Sequence, residues 1–261
     1  MKLALWQTHP RSSITLALTA LRDAAQTAAA QGADVLITPE MLIGGYNIGP
    51  DRVAAHADES AQTLDTLKSI TKTHDIALVV GLPLPASPRP HNACLVIDNT
   101  GHEVARYHKT HLYGDVDRAQ FSAGTELSGV FELAGWKVGL AICYDVEFPE
   151  LTQALALCGA EVILTPTANM EPFDSIATRL VPARAEENGL FLAYCNYTGA
   201  EAHFTYNGLS CVSGPDGQDL VRGAKTETML YASLDRALLT AARQAQTHLH
   251  DRRADLYGEI T

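Results

Sequence analysis

Of the five cysteines in this chain, one is placed for chemistry rather than for packing. Cys94, Cys158, Cys195 and Cys211 have small or apolar neighbours and read as core residues, in keeping with the usual burial of a free thiol. Cys143 instead closes an apolar run, Trp136 to Ile142, and leads into Tyr144-Asp145 and a helix start at Pro149. A thiol with an ordinary pKa of about 8.5 needs a base or a positive field to attack a carbon centre near neutral pH. Glu40 and Lys109, each directly after a predicted strand, could supply both. A lone carboxylate or lysine is usually a solvated surface group, so these two gain meaning only in combination with the cysteine. His108 and His111 offer a rival arrangement, a Cys-His dyad with imidazole as the base. As a metal site the same two histidines, three apart, lack the further ligands that zinc requires, so no metal is expected.

Such groups need a scaffold that brings residues 40, 109 and 143 together. Residues 2–6 read as a strand, and Ser12 or Ser13 caps a helix carrying Leu18, Leu21, Ala25 and Ala28 on one face, ended by Gly32. Val35 to Thr38 form a short strand stopped by Pro39, which leaves Glu40 just beyond its end. A second helix shows Ala61, Leu64, Leu67 and Ile70 on one face and leads into the strand Ile76 to Gly81. Residues 92–97 and 103–108 read as paired strands around the Asp98-Asn-Thr-Gly101 turn, with Lys109 directly after them. In the second half, Trp136 to Ile142 and Val162 to Thr165 are strands separated by a helix with Leu151, Leu155 and Cys158 buried. A helix over about 174–188, a strand over 190–195 and shorter strands over 208–233 follow, and Asp235 caps a last helix.

Alternating strands and helices with near-continuous apolar strands predict an α/β fold whose sheets are covered on both faces. In open sheets of this kind reactive groups collect beyond the C-terminal strand ends, where Glu40, Cys143 and Asn169 all fall. No linker divides the chain, so residues 1–261 read as one domain, and Pro83 to Pro90 as a local loop. A net charge of -11 and the lack of any Lys/Arg run argue against a nucleic-acid partner. The first ten residues are too soon interrupted for a signal peptide, and no apolar run is long enough to span a bilayer. An odd number of cysteines without CxxC pairing fits a reducing compartment, so the expected location is cytoplasmic.

Three ordered segments carry a resemblance. Pro39-Glu40, Tyr107-His-Lys-Thr-His-Leu112 and Gly139-Leu-Ala-Ile-Cys-Tyr-Asp-Val-Glu-Phe-Pro-Glu150 resemble the signature segments of the nitrilase superfamily of carbon-nitrogen hydrolases. The likeness continues through Pro166-Thr-Ala-Asn-Met170, Arg184-Ala-Glu-Glu-Asn-Gly189 and Asp251-Arg-Arg-Ala-Asp-Leu-Tyr257. It implies a four-layer α-β-β-α sandwich and a Glu-Lys-Cys triad of Glu40, Lys109 and Cys143, with the Tyr144 N–H as an oxyanion donor and no cofactor. The family commonly carries a further Glu seven residues before a Gly. Here that place, counted back from Gly124, holds Asp117, which the resemblance implies as an accessory acid. His108 stands where Arg is frequent.

Cys143-Tyr144-Asp145 in place of Cys-Trp-Glu, and an end soon after Tyr257, imply the amidase branch rather than true nitrilases. Glu40 to Ile48, Tyr113 to Arg118 and Thr167 to Met170 look closest to the R-stereoselective amidase-like group, which implies a small amide as substrate. A nitrilase or carbamoyl-amide hydrolase, an acyltransferase sharing the thioester step and a noncatalytic binding module on the same scaffold are the alternatives. Tyr46, Asn47, Asn169 and Met170, each following a strand end, are the expected pocket residues. A homodimer or larger homo-oligomer is implied.

Overall fold

The computed structural model describes residues 1–257, and two six-stranded sheets dominate it. In the first sheet the strand order is Thr228–Ser233, Lys2–Gln7, Val35–Ile37, Ala77–Leu84, His91–Ile97 and Glu103–His108. In the second it is Asp219–Arg222, Cys211–Ser213, Phe191–Cys195, Val162–Pro166, Trp136–Leu140 and Phe131–Leu133. The strands linked by helical crossovers run parallel, and antiparallel strands complete both edges of each sheet.

Successive side chains on a strand point to opposite faces, and this sorts the apolar residues into three layers of packing. Leu3, Leu5, Val35, Ile37, Val79 and Val96 meet Val138, Leu140, Val162, Leu164 and Phe191 between the two sheets. On the outer face of the first sheet, Ala4, Leu36, Leu78 and Val80 pack against Leu21, Ala25, Leu67 and Ile70 of the helices Ile14–Ala30 and Ser60–His74. On the far side, Ile163, Leu192 and Tyr194 pack against Leu151, Leu155, Val181 and Ala185 of the helices Pro149–Leu157 and Val181–Asn188. The order is helix, sheet, sheet, helix, the four-layer sandwich expected. Continuous apolar strands follow directly, because both faces of each sheet are covered.

Local signals act as their chemistry dictates. Ser13 caps the first long helix by accepting from Leu16 N–H, and Asp235 caps Arg236–Ala245 by accepting from Ala237 N–H. Asp98 closes its hairpin turn by accepting from the N–H groups of Thr100 and His102, both at 2.9 Å.

Elsewhere the structure corrects the expected detail. Ala61 is exposed, and Thr63 and Thr71 join Leu67 and Ile70 on the buried face of a helix that is preceded by a separate one, Pro50–Asp58. Cys158 is exposed rather than core, because its helix ends at Leu157 and the thiol lies on the cap residue. The stretch over 174–188 is a π-helical turn, Ile176–Leu180, running into Val181–Asn188. A hairpin of Thr198–Glu201 and Phe204–Asn207 had no periodic signal. No helix among the described residues is long and apolar enough to cross a membrane.

Candidate active site

The strands Val35–Ile37 and Glu103–His108 of one sheet and Trp136–Leu140 and Val162–Pro166 of the other deliver Glu40, Lys109, Cys143 and Asn169 to one edge of the sandwich. The N–H of Glu40 donates to the Thr167 carbonyl at 3.2 Å, which ties the two sheets together there. Sharp turns make the delivery possible. Met41, after Glu40, has φ 52°, and Cys143 has φ 46°, a left-handed conformation that costs a non-glycine residue about 1–3 kcal/mol. Cys143 opens a 3-10 turn, Cys143–Glu147, so its side chain leaves the strand where the backbone bends. Gly81 makes room for the first turn: a Cβ there would collide with Met41 N and stand 2.9 Å from the Glu40 carbonyl carbon.

Lys109 is fully buried, and its Nζ donates to Glu40 Oε1 at 2.7 Å and to Asp117 Oδ2 at 2.8 Å. The ring of Tyr46 lies under the same ammonium, 5.6 Å from its centroid. Burial alone would lower the lysine pKa, but Asp117 and Glu40 outweigh it and hold the group well above 10.5, so Lys109 is a fixed cation. Asp117 also accepts from the Tyr113 N–H at 2.8 Å, which pins the short helix Gly114–Gln120 to the site.

Glu40 is fully buried too, and burial raises its carboxyl above 4.5 even though Lys109 and a 2.6 Å hydrogen bond from Asn92 Nδ2 act the other way. Its Oε2 has no hydrogen-bond partner among the described residues. The Cys143 thiol is pushed well above 9, first by burial and then by the negative charge of Glu40, against the pull of Lys109. It therefore rests as a neutral thiol, and attack requires a base that removes its proton as the bond forms.

Asp145 joins the lysine loop to the cysteine turn. Its carboxylate accepts from Tyr107 OH at 2.9 Å, Thr110 Oγ1 at 3.1 Å, His111 N–H at 3.0 Å and Ile142 N–H at 3.0 Å. His111 Nδ1 lies 2.8 Å from the same carboxylate, with its ring stacked on Phe148, and the His108 ring stacks on His91. Neither histidine lines the cavity that holds Cys143, so the geometry offers the Cys-His dyad no support. Among the described residues no group of three or more His, Cys, Asp or Glu is arranged to hold a metal ion.

That cavity, about 40 Å³, is lined by Tyr46, Tyr113, Cys143, Tyr144, Glu147, Asn169, Met170 and Phe173. The structure thus brings three of the four expected pocket residues beside the thiol. Asn47 is not one of them: its N–H donates to Glu201 Oε2 at 2.6 Å and its side chain reaches His203. Tyr144 is the second residue of the 3-10 turn, whose first N–H groups have no partner within the turn.

Asn92, Glu147 and Glu201 were not singled out by their spacing, and Asp145 was read only as the polar exit after Cys143 and a marker of the amidase branch. Glu201 accepts from the N–H groups of Tyr46 and Asn47 and from Tyr206 OH at 2.7 Å, so the unforeseen hairpin clamps the loop after Glu40. Only Asn92 carried a usable signal, a polar side chain opening an apolar strand, where a buried amide demands a partner.

Residues 2–244 match the family model described as carbon-nitrogen hydrolase. A hydrolase in the pqqF 5' region of Pseudomonas protegens is 39% identical, with 100% of this chain and 92% of that protein aligned. An (R)-stereoselective amidase from Pseudomonas sp is 35% identical over 87% of this chain and 82% of its own length. Among solved structures, an amidase from Nesterenkonia sp. AN1 superposes with a TM-score of 0.90 at 35% identity, covering 100% of both chains. One mutant of that amidase carries acrylamide added to its active-site cysteine, and another is in complex with butyramide. The chain belongs to the carbon-nitrogen hydrolase family, and its fold and relatives place it with the amide-hydrolysing enzymes of the nitrilase superfamily.

Proposed function

We propose that this enzyme hydrolyses small carboxamides to the carboxylic acid and ammonia through a thioester on Cys143. Glu40 accepts the thiol proton as Cys143 Sγ bonds to the amide carbon, and the carbonyl oxygen becomes an oxyanion. Lys109 and the Tyr144 N–H stabilise that charge with donors already in place. Glu40 then gives its proton to the departing nitrogen, the carbon-nitrogen bond breaks, and ammonia leaves a thioester behind. Water that loses a proton to Glu40 attacks the thioester. The acid departs, and the proton returns to the sulfur.

The observation that carries this reading is the fully buried Lys109 ammonium held between the carboxylates of Glu40 and Asp117. Asp117 acts as the accessory acid, fixing Lys109 where charge develops. The cavity, with room for only a few water-sized groups, supports a short acyl chain, and the butyramide held by the Nesterenkonia amidase is of that size. We further propose a homodimer or larger homo-oligomer in the cytoplasm. Five unpaired cysteines support a reducing compartment, and light scattering would read the assembly directly.

Ammonia release from aliphatic, aromatic and amino-acid amides, with matching nitriles alongside, tests the proposal. Cys143→Ala should fold and release no ammonia. Full activity in that variant would falsify the assignment.

A further inference from the structure

Glu147 has no part in the chemistry just described, yet it lines the cavity and ends the 3-10 turn that Cys143 begins. From its surroundings we infer that Glu147 is a specificity residue that pairs with a positive group on the acyl part of the substrate, so that the preferred amides carry an ammonium. This rests on the amidase reading and narrows it to a substrate class.

The first support is an unmatched charge. Glu147 is half-buried, and no described residue donates a hydrogen bond to its carboxylate. The guanidinium that acts on it is committed elsewhere: Arg184 donates to the Val146 carbonyl at 3.1 Å, the Glu147 main-chain carbonyl at 3.0 Å and Glu187 Oε1 at 3.0 Å. Burial raises the Glu147 carboxyl more than Lys109 and Arg184 lower it, so the charged form lacks a close partner. A cation in the cavity would provide one.

The walls supply the second support. Tyr46, Tyr113, Tyr144 and Phe173 line the cavity, with the ring of Tyr113 set edge-on to Tyr144 at 5.3 Å and to Phe173 at 6.2 Å. An ammonium that meets the face of one of these rings is attracted to it. No lysine or arginine lines the cavity, and the ammonium just beyond it, Lys109, is already held by two carboxylates. The lining therefore carries one carboxylate and no cation, and its small volume favours a short aminoalkyl group over a long one.

The test compares isosteric pairs at neutral pH: glycinamide with propionamide, β-alaninamide with butyramide, and 4-aminobutyramide with pentanamide. A charged hydrogen bond predicts that the best cationic member exceeds its neutral isostere in kcat/KM by about tenfold or more. Glu147→Gln should bring that ratio close to one. Both substrates of a pair are read on the same sample, so a misfolded fraction cancels, and the wild-type ratio needs no variant. Wild-type ratios at or below one for every pair, or a ratio unchanged in Glu147→Gln, would overturn the inference while leaving the amidase reading standing. Wild-type enzyme that releases ammonia from no amide at all would overturn both.

Discussion

Asp117 accepts a hydrogen bond from Lys109 at 2.8 Å, with both side chains fully buried. The short carboxylate reaches the lysine because the Tyr113 N–H, also at 2.8 Å, holds it at the start of its helix. Asp117→Asn keeps the shape and removes the charge. Leaving a buried ammonium with one carboxylate instead of two should cost about 1.5–3 kcal/mol in chemical denaturation. On the proposed mechanism kcat falls at least tenfold, and a folded variant with unchanged kcat would show that Lys109 needs only Glu40.

Acid sensitivity follows from Glu40. Burial raises its carboxyl above 4.5, and the proposed base works only when ionised. The acid limb of kcat/KM should therefore fall through a value above 4.5, not below it. The stability effect has the opposite sign: a raised carboxyl binds its proton more tightly in the folded chain. That contribution is complete below 4.5 and is lost as pH rises through the folded value. Titrating kcat/KM for the wild type and denaturing Glu40→Gln across the same range checks both signs.

Glu201 holds the loop that carries Tyr46 without touching the thiol cavity. Glu201→Ala strands the N–H groups of Tyr46 and Asn47, at a cost of about 1–3 kcal/mol each where they stay dry. Because Tyr46 both walls the cavity and underlies Lys109, the expected kinetic result is a higher KM with a smaller loss in kcat. A purely structural role would lower Tm and leave KM alone.

Gly81→Ala should be among the most damaging single-methyl additions in the chain. The new Cβ meets backbone at Met41 and Glu40, which cannot swing aside as a side chain would. Overpacking of this kind costs about 1–3 kcal/mol. The strained turn after Val35–Ile37 gives way first, so ammonia release should drop more steeply than Tm. Retention of both would show that the turn relaxes freely.

Much of this protein was legible from its residues alone. Near-continuous apolar strands and helices with period 3.6 predict the layers, since a strand covered on both faces is apolar at successive positions while a helix buries one stripe. The strand-end positions of Glu40 and Cys143 followed from Pro39 and from the polar exit at Tyr144-Asp145. What the sequence by itself determined was therefore local: where elements stop, and which reactive types stand at the stops. Contacts between segments far apart in the chain were decided only by the tertiary structure. Asn92 meets Glu40 across 52 residues and Glu201 meets Asn47 across 154, distances over which no local period carries information. Cys158 shows the same limit from the other side, an apolar neighbourhood whose helix ends one residue too early to bury it. The charge balance of the site was likewise beyond spacing, because one lysine acquires its meaning from the carboxylates that folding gathers around it, with all three side chains fully buried.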